Sequence, residues 1–209
     1  LAGMSQAADS RIAVTGATVH TLTEAGTIED AVLLVKDGRI EAVSANTEIP
    51  ADYVRVGATG KVITPGLIES YSRLGLIEIE LETSTVDAIV AEYPSGAAFN
   101  VRYALNPAAV ALAVNRRDGV TAAITAPAPG NDPFAGWGAA IRLGGDPMLV
   151  KPDLAMFAAI GAGSSVFVGG SRSAVIQRLR RGLDQAAGYN AGRYQPGPEI
   201  GRASCGERG

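Results

Sequence analysis

With one cysteine, Cys205, and one histidine, His20, the 209-residue chain cannot form an intrachain disulfide, a thiolate metal cluster or a two-histidine metal site. Any histidine-based catalytic triad would have to run through His20. Charge of one sign is scarce as well: 18 basic against 21 acidic groups leave a net charge of −3, and the arginines are mostly scattered. Such a surface sets up no field for a polyphosphate, and no nucleic acid partner is expected. Long apolar runs are missing. The longest uncharged stretch, Leu154 to Ser171, is broken by Gly and Ser and falls short of the ~20 residues of a membrane helix, so no membrane span is expected. Aromatic residues make up only 5%, yet 47% apolar residues suffice for one or two modules with an ordinary core.

The two ends differ from the middle. Leu1-Ala2-Gly3-Met4-Ser5-Gln6-Ala7-Ala8 reads as the end of a secretory signal, with Ser5 and Ala7 placed as at a cleavage site. The other reading of residues 1–10 is a disordered, Ala-rich arm. A signal remnant implies a periplasmic or otherwise exported protein, whereas an arm leaves a cytoplasmic one open. Residues 199–209 have neither helical nor strand period and resemble the translation of a sequencing adapter, against the alternative of a flexible tail. Taken as a non-native tail, they carry away Cys205 and leave the balance of charge as it was.

The first readable block, 11–63, is all strand. Ile12–Val14, Thr18–Leu22, Ala31–Lys36 and Arg39–Val43 are short β-branched and aliphatic runs separated by turn residues. Asp37-Gly38 can take φ > 0 at both central positions, which predicts a tight hairpin between the last two runs. A further strand pair is expected at Tyr53–Val56 and Lys61–Ile63. So small a sheet leaves an open edge in need of partners.

At Thr64-Pro65-Gly66 the pattern changes. Leu67-Ile68 reads as a buried strand with Glu69 to Arg73 at its exit. Asn106-Pro107 predicts a capped helix through about Asp118, ended by Gly119, and Val120–Ala126 an apolar strand after it. Helix feeding strand is the rhythm of an α/β layer. Ala139–Leu143 and Ser165–Val168 read as further strands. From Ser173, the spacing of Val175, Ile176, Leu179, Leu183 and Ala186 predicts a helix whose wet side carries Arg172, Arg178, Arg180 and Arg181.

Three features taken together carry a resemblance: the Lys36-Asp37-Gly38-Arg39-Ile40 hairpin, then Gly60-Lys61-Val62-Ile63-Thr64-Pro65-Gly66-Leu67-Ile68-Glu69-Ser70, then Leu74-Gly75. The order is similar to the N-terminal part of the amidohydrolase superfamily, especially its exported, imidazolonepropionase-like members. The match is specific over residues 12–76 and looser through Asp118–Arg142 and the Arg-rich helix. The resemblance implies an α/β fold: a partial TIM-type (β/α) barrel over residues 64–198, preceded at 11–63 by the N-terminal strands of a small composite β-sandwich. The sandwich would be completed by a C-terminal part outside this chain, and reactive groups would gather at the C-terminal ends of barrel strands.

Metal-binding members of that family usually carry His-x-His at the end of the first barrel strand, where i and i+2 face one side. Here those positions align with Tyr71 and Arg73. A neutral phenol is a poor ligand near pH 7, and a guanidinium repels a divalent ion. No metal ligand carries over to any residue of the chain, and a divalent metal is expected only in a full-length parent. As substrate-binding residues, Tyr71 and Arg73 would orient an anionic or carbonyl group of a small amide or imide, since the Arg fork matches a carboxylate. Their plain alternative is a structural ion pair or hydrogen bond at a strand end.

Other candidates read more simply. Glu78, Glu80 and Glu82 alternate with Ile79 and Leu81, so on a strand they would share one solvated face, with a hard-cation site as the sharper alternative. Gly161-Ala162-Gly163 and Gly169-Gly170-Ser171-Arg172 precede a strand and a helix; the second could offer N–H groups to an anion but lacks the full dinucleotide fingerprint and reads as a helix cap. Gly136-Trp137-Gly138 reads as a close-packed loop around a buried indole, and His20 as a structural or surface residue. Three functions stay open. One is a hydrolase of non-peptide carbon–nitrogen bonds when full length, inactive as this fragment. The second is a non-catalytic binding or envelope relative that has lost the first metal pair. The third is a complete α/β binding domain using its Gly-rich loops, against which the missing sheet partners count.

Overall fold

A computed structural model describes residues 11–89, 96–161 and 170–193. The chain divides into two units, one ending at Gly66 and the other beginning at Leu67.

The first unit is a five-stranded sheet. β1 (Arg11–His20) lies between antiparallel β2 (Thr27–Lys36) and parallel β4 (Val54–Gly57), β3 (Arg39–Ser44) flanks β2, and the two-residue β5 (Val62–Ile63) also pairs with β1. Asp37 (φ 50°) and Gly38 (φ 74°) turn the β2–β3 hairpin as the sequence predicts. Two expectations change. The runs Ile12–Val14 and Thr18–Leu22 are one strand, because Gly16 (φ 80°) is accommodated as an extra residue opposite Val32 and Ala31. A Cβ at Gly16 would stand 2.7 Å from the Thr59 hydroxyl, so the close pass of that loop also demands glycine. Second, β4 and β5 pair with β1 rather than with each other, each parallel to it. Packing holds the unit in two small clusters. Ala13, Leu34 and Tyr53 gather Val32, Ala42 and Ile49, while Ala17, Val19 and Ala31 gather Ile28, Val43, Ala58 and Ile63.

The second unit is a four-stranded mixed sheet in the order β6 (Leu67–Ser72), β7 (Val120–Thr125), β8 (Phe134–Arg142), β9 (Leu149–Ala158). β6 and β7 are parallel and joined through α1 (Val110–Arg117), a β–α–β step of α/β type. β8 and β9 then return antiparallel. The cause lies in the connections. The 126–133 link is shorter than the roughly dozen residues a parallel crossover takes, so β8 can only fold back. An all-parallel continuation of a (β/α) barrel is therefore not seen among the described residues, and the α/β class is what the fold shares with the expectation. Leu67 and Ile68 form a strand but are 59% and 70% exposed rather than buried, because β6 is an edge of the sheet. The core lies behind β7 and β8: Ala109, Leu112, Ala123, Ile141 and Leu143 in one cluster, Leu76, Ala88, Val101 and Ala139 in another.

Helix α1 starts at Val110 rather than at Asn106-Pro107. Asn106 instead closes a local turn, accepting the Ala108 N–H on its side chain at 2.9 Å and the Ala109 N–H on its carbonyl at 3.3 Å. Gly136-Trp137-Gly138 is part of β8 and not a loop, and its indole is half-buried. A Cβ on Gly136 (φ 119°) would meet the Phe99 carbonyl at 2.4 Å, so the paired glycines let chain and ring pass over the strand. α2 (Arg172–Asn190) begins with Ser171 accepting the Ser173 N–H, the expected helix cap. Of its apolar stripe only Val175 is fully buried, while Leu183 is 62% exposed. Arg178 leaves the wet side to chelate the buried carboxylate of Asp132, which also accepts the Phe134 N–H at 2.9 Å. The strand expected at Ser165–Val168, and Ala162, Gly163 and Gly169 of the Gly-rich loops, lie outside the described residues, as do 1–10 and 199–209. No helix of the described residues is long and apolar enough to cross a membrane.

Candidate functional site

The end of β6 sets the geometry. Ser72 donates its hydroxyl to the Ile124 carbonyl at 3.2 Å and offers its own carbonyl to the Ala126 N–H at 2.9 Å, clamping the strand exit to β7. The chain then turns on Gly75 (φ 80°), with the Leu76 N–H donating to the Arg73 carbonyl at 3.0 Å. Tyr71 and Arg73, two residues apart on this exit, line the same open cleft of about 530 Å³, together with Glu69, Ser72, Leu74, Ile77, Glu78, Glu80 and Asn115. The two expected substrate-binding residues are thus brought together.

Their environments differ. Tyr71 is 53% exposed, and its ring stands 6.0 Å from that of Phe157 at a 40° tilt. Its backbone N–H donates to Glu69 at 3.1 Å. Arg73 is half-buried; its Nε is sealed from solvent with no acceptor, and among the described residues its guanidinium makes no ion pair or hydrogen bond. A sealed N–H without an acceptor costs roughly 1–3 kcal/mol.

Glu78, Glu80 and Glu82 do not share a strand face. Turns at Ile79–Glu82 and a 3₁₀ turn at Thr83–Thr85 separate them, because the Thr85 hydroxyl bonds back to Ile79, accepting its N–H at 3.1 Å and donating to its carbonyl at 3.0 Å. Glu78 reaches α1, where its carboxylate accepts the Val110 N–H at 3.1 Å and so supplies the cap that Asn106 does not. Glu82 caps its own turn through Ser84, whose hydroxyl holds the carboxyl below the usual carboxylate range. Glu80 is exposed and has no side-chain partner among the described residues. Among those residues no three His, Cys, Asp or Glu side chains converge to hold a metal ion. With the Arg73 cation in the same cleft, the residues present do not fit a divalent ion at this strand end.

Sequence reasoning passed over Glu69, Ser72 and Asn115, which complete the cleft. Asn115 donates to the Ala111 carbonyl at 2.8 Å, and a lone amide directly after the apolar stretch Val110–Val114 is the available signal. His20 belongs to the first unit, where its Nδ1 is 2.8 Å from the Thr27 hydroxyl at the rim of a largely apolar cavity of about 400 Å³.

No family model matches the chain. An imidazolonepropionase from Brucella anthropi is 36% identical over 69 residues, 32% of this chain and 16% of that protein. The crystal structure of an amidohydrolase from Thermotoga maritima MSB8 has a TM-score of 0.77 at 23% identity, covering 95% of this chain and 52% of that one. The chain spans about half the length of this solved structure and much less of the curated relative. The second likeness is one of fold, the first a short one of sequence.

Proposed function

From the resemblance to the amidohydrolase superfamily as premise, we propose that this chain is the N-terminal part of an exported or periplasmic hydrolase of non-peptide carbon–nitrogen bonds. On this reading the described sheet is the opening of a larger (β/α) barrel, and the first unit is half of a composite sandwich. One observation supports the substrate-binding part of this reading: where the resemblance puts the family's first metal pair, a cleft presents an arginine fork with no partner among the described residues. Arg73 binds a carboxylate or carbonyl oxygen of a small amide or imide through parallel N–H groups. Tyr71 donates its hydroxyl alongside, and Phe157 restrains the ring that carries it. Both residues bind and orient substrate, and no proton transfer is assigned to either. A divalent ion in the full-length parent would take its ligands from residues other than those described here.

The second reading, a non-catalytic relative, is favoured by the same substitution, because a scaffold can outlive its chemistry. Purified full-length parent separates the two. The enzyme reading expects bound zinc, iron or manganese and hydrolysis of amides or imides, with KM raised about tenfold or more by Arg73→Met. A metal-free product without turnover establishes the binding protein instead. The 209-residue chain itself is expected to show neither turnover nor stoichiometric metal. Tight metal uptake abolished by Tyr71→Ala would overturn the assignment of this cleft.

A further inference from the structure

We propose that the ligand of the Arg73 cleft is a zwitterion, an organic molecule carrying a carboxylate and a protonated amine. The inference rests on the reading that the cleft binds substrate and adds the charge pattern of what it takes. The cleft holds one guanidinium and three carboxylates, Glu69, Glu78 and Glu80. Two of the acids are engaged by the protein's own backbone: Glu69 by the Tyr71 N–H and Glu78 by the Val110 N–H that opens α1. Those bonds hold the carboxylates in place without cancelling their charge. Two groups of opposite sign remain without a side-chain partner among the described residues, Arg73 and Glu80, and they do not pair with each other.

A simple anion would satisfy the Arg73 fork but enter a cleft with a surplus of negative charge. A simple cation would suit the acids and leave the Arg73 guanidinium without an opposite charge. A molecule with both ends answers both: its carboxylate on the fork, its ammonium facing Glu80. About 530 Å³ accommodates a small metabolite of this kind in an open site, with the Tyr71 hydroxyl and Asn115 to contact what joins the two charged ends.

The test uses the 209-residue chain and three probes of one carbon skeleton: 4-aminobutyrate, butyrate and butylamine, titrated by calorimetry or ligand-observed NMR. The zwitterion is expected to bind about tenfold more tightly than either single-charge analogue, the factor given by one added charge-assisted contact. Glu80→Gln, an exposed substitution that leaves the fold intact by circular dichroism, is expected to erase the advantage over butyrate while butyrate itself binds equally or better. Arg73→Met is expected to erase the advantage over butylamine. Butyrate binding as well as 4-aminobutyrate overturns the zwitterion but leaves the carboxylate-binding cleft standing. An undiminished advantage in Glu80→Gln also overturns it. Butylamine as the equal of 4-aminobutyrate, or no binding by any probe, overturns both.

Discussion

Replacing Arg73 by Met should make the protein more stable and, on the proposed reading of the cleft, abolish carboxylate binding. The half-buried arginine has an Nε–H sealed from water with no acceptor and a guanidinium with no ion pair among the described residues. An orphaned buried donor costs roughly 1–3 kcal/mol. Because part of the head group still meets solvent, the lower end applies, and Met keeps the packing of the apolar stem. The expected gain is about 1 kcal/mol, or roughly 2–4 °C in Tm for a chain of this size. Trp137, the single tryptophan, lies on β8 of the same unit, so its fluorescence during urea unfolding follows that unit and not the first. Arg73→Lys, which keeps the charge but has no Nε–H, should fall on the stable side as well. A loss of about 1 kcal/mol or more in Arg73→Met would refute the reasoning, since it would show that the arginine has a stabilising partner and is structural.

Three further outcomes follow from the packing and the charges. Gly182→Ala should cost about 1 kcal/mol: a Cβ there would stand 2.6 Å from the Phe134 ring, and the overpacking exceeds the helix-propensity gain; with Phe134→Leu as background the same change should become neutral or stabilising in urea titrations. Glu78→Ala should cost about 1 kcal/mol through loss of the charged acceptor at the start of α1, and Glu78→Gln should recover part of it, both read by Trp137 fluorescence. In the first unit, Tyr53 donates to Glu41, which raises the phenol to about 12. Because the folded state holds this proton more tightly than the ordinary 10.0, the stabilisation is complete below pH 10 and is lost as pH rises through 12; absorbance at 295 nm should show one late tyrosine that moves down in Glu41→Gln.

Local chemistry was the legible part of the sequence. Asp37-Gly38 specified its hairpin because two adjacent φ > 0 positions admit few residues, and Ser171 specified the start of α2 by its hydroxyl. Longer-range choices were less visible. The strand β9 was missed because Pro152 and Asp153 interrupt it; it tolerates them as the other edge of the sheet, with Asp153 at φ 51° held by Asn100 and by Arg102 at 2.8 Å. The alternating glutamates have strand period, but Thr85 folds that segment into turns, so period alone misled. Tyr71 and Arg73 were readable as a departure from a family pattern. That Arg73 makes no ion pair or hydrogen bond among the described residues, and that three glutamates line the same cleft, are facts of the folded chain that its spacing does not show.

The most direct test follows the Arg73 Nε–H itself. In 15N-labelled protein its side-chain signal, assigned by its disappearance in Arg73→Lys, should shift as 4-aminobutyrate is titrated in, while the Arg178 signal, whose Nε–H is already held by Asp132, stays in place. An Arg73 signal that does not move as the ligand binds would contradict the account.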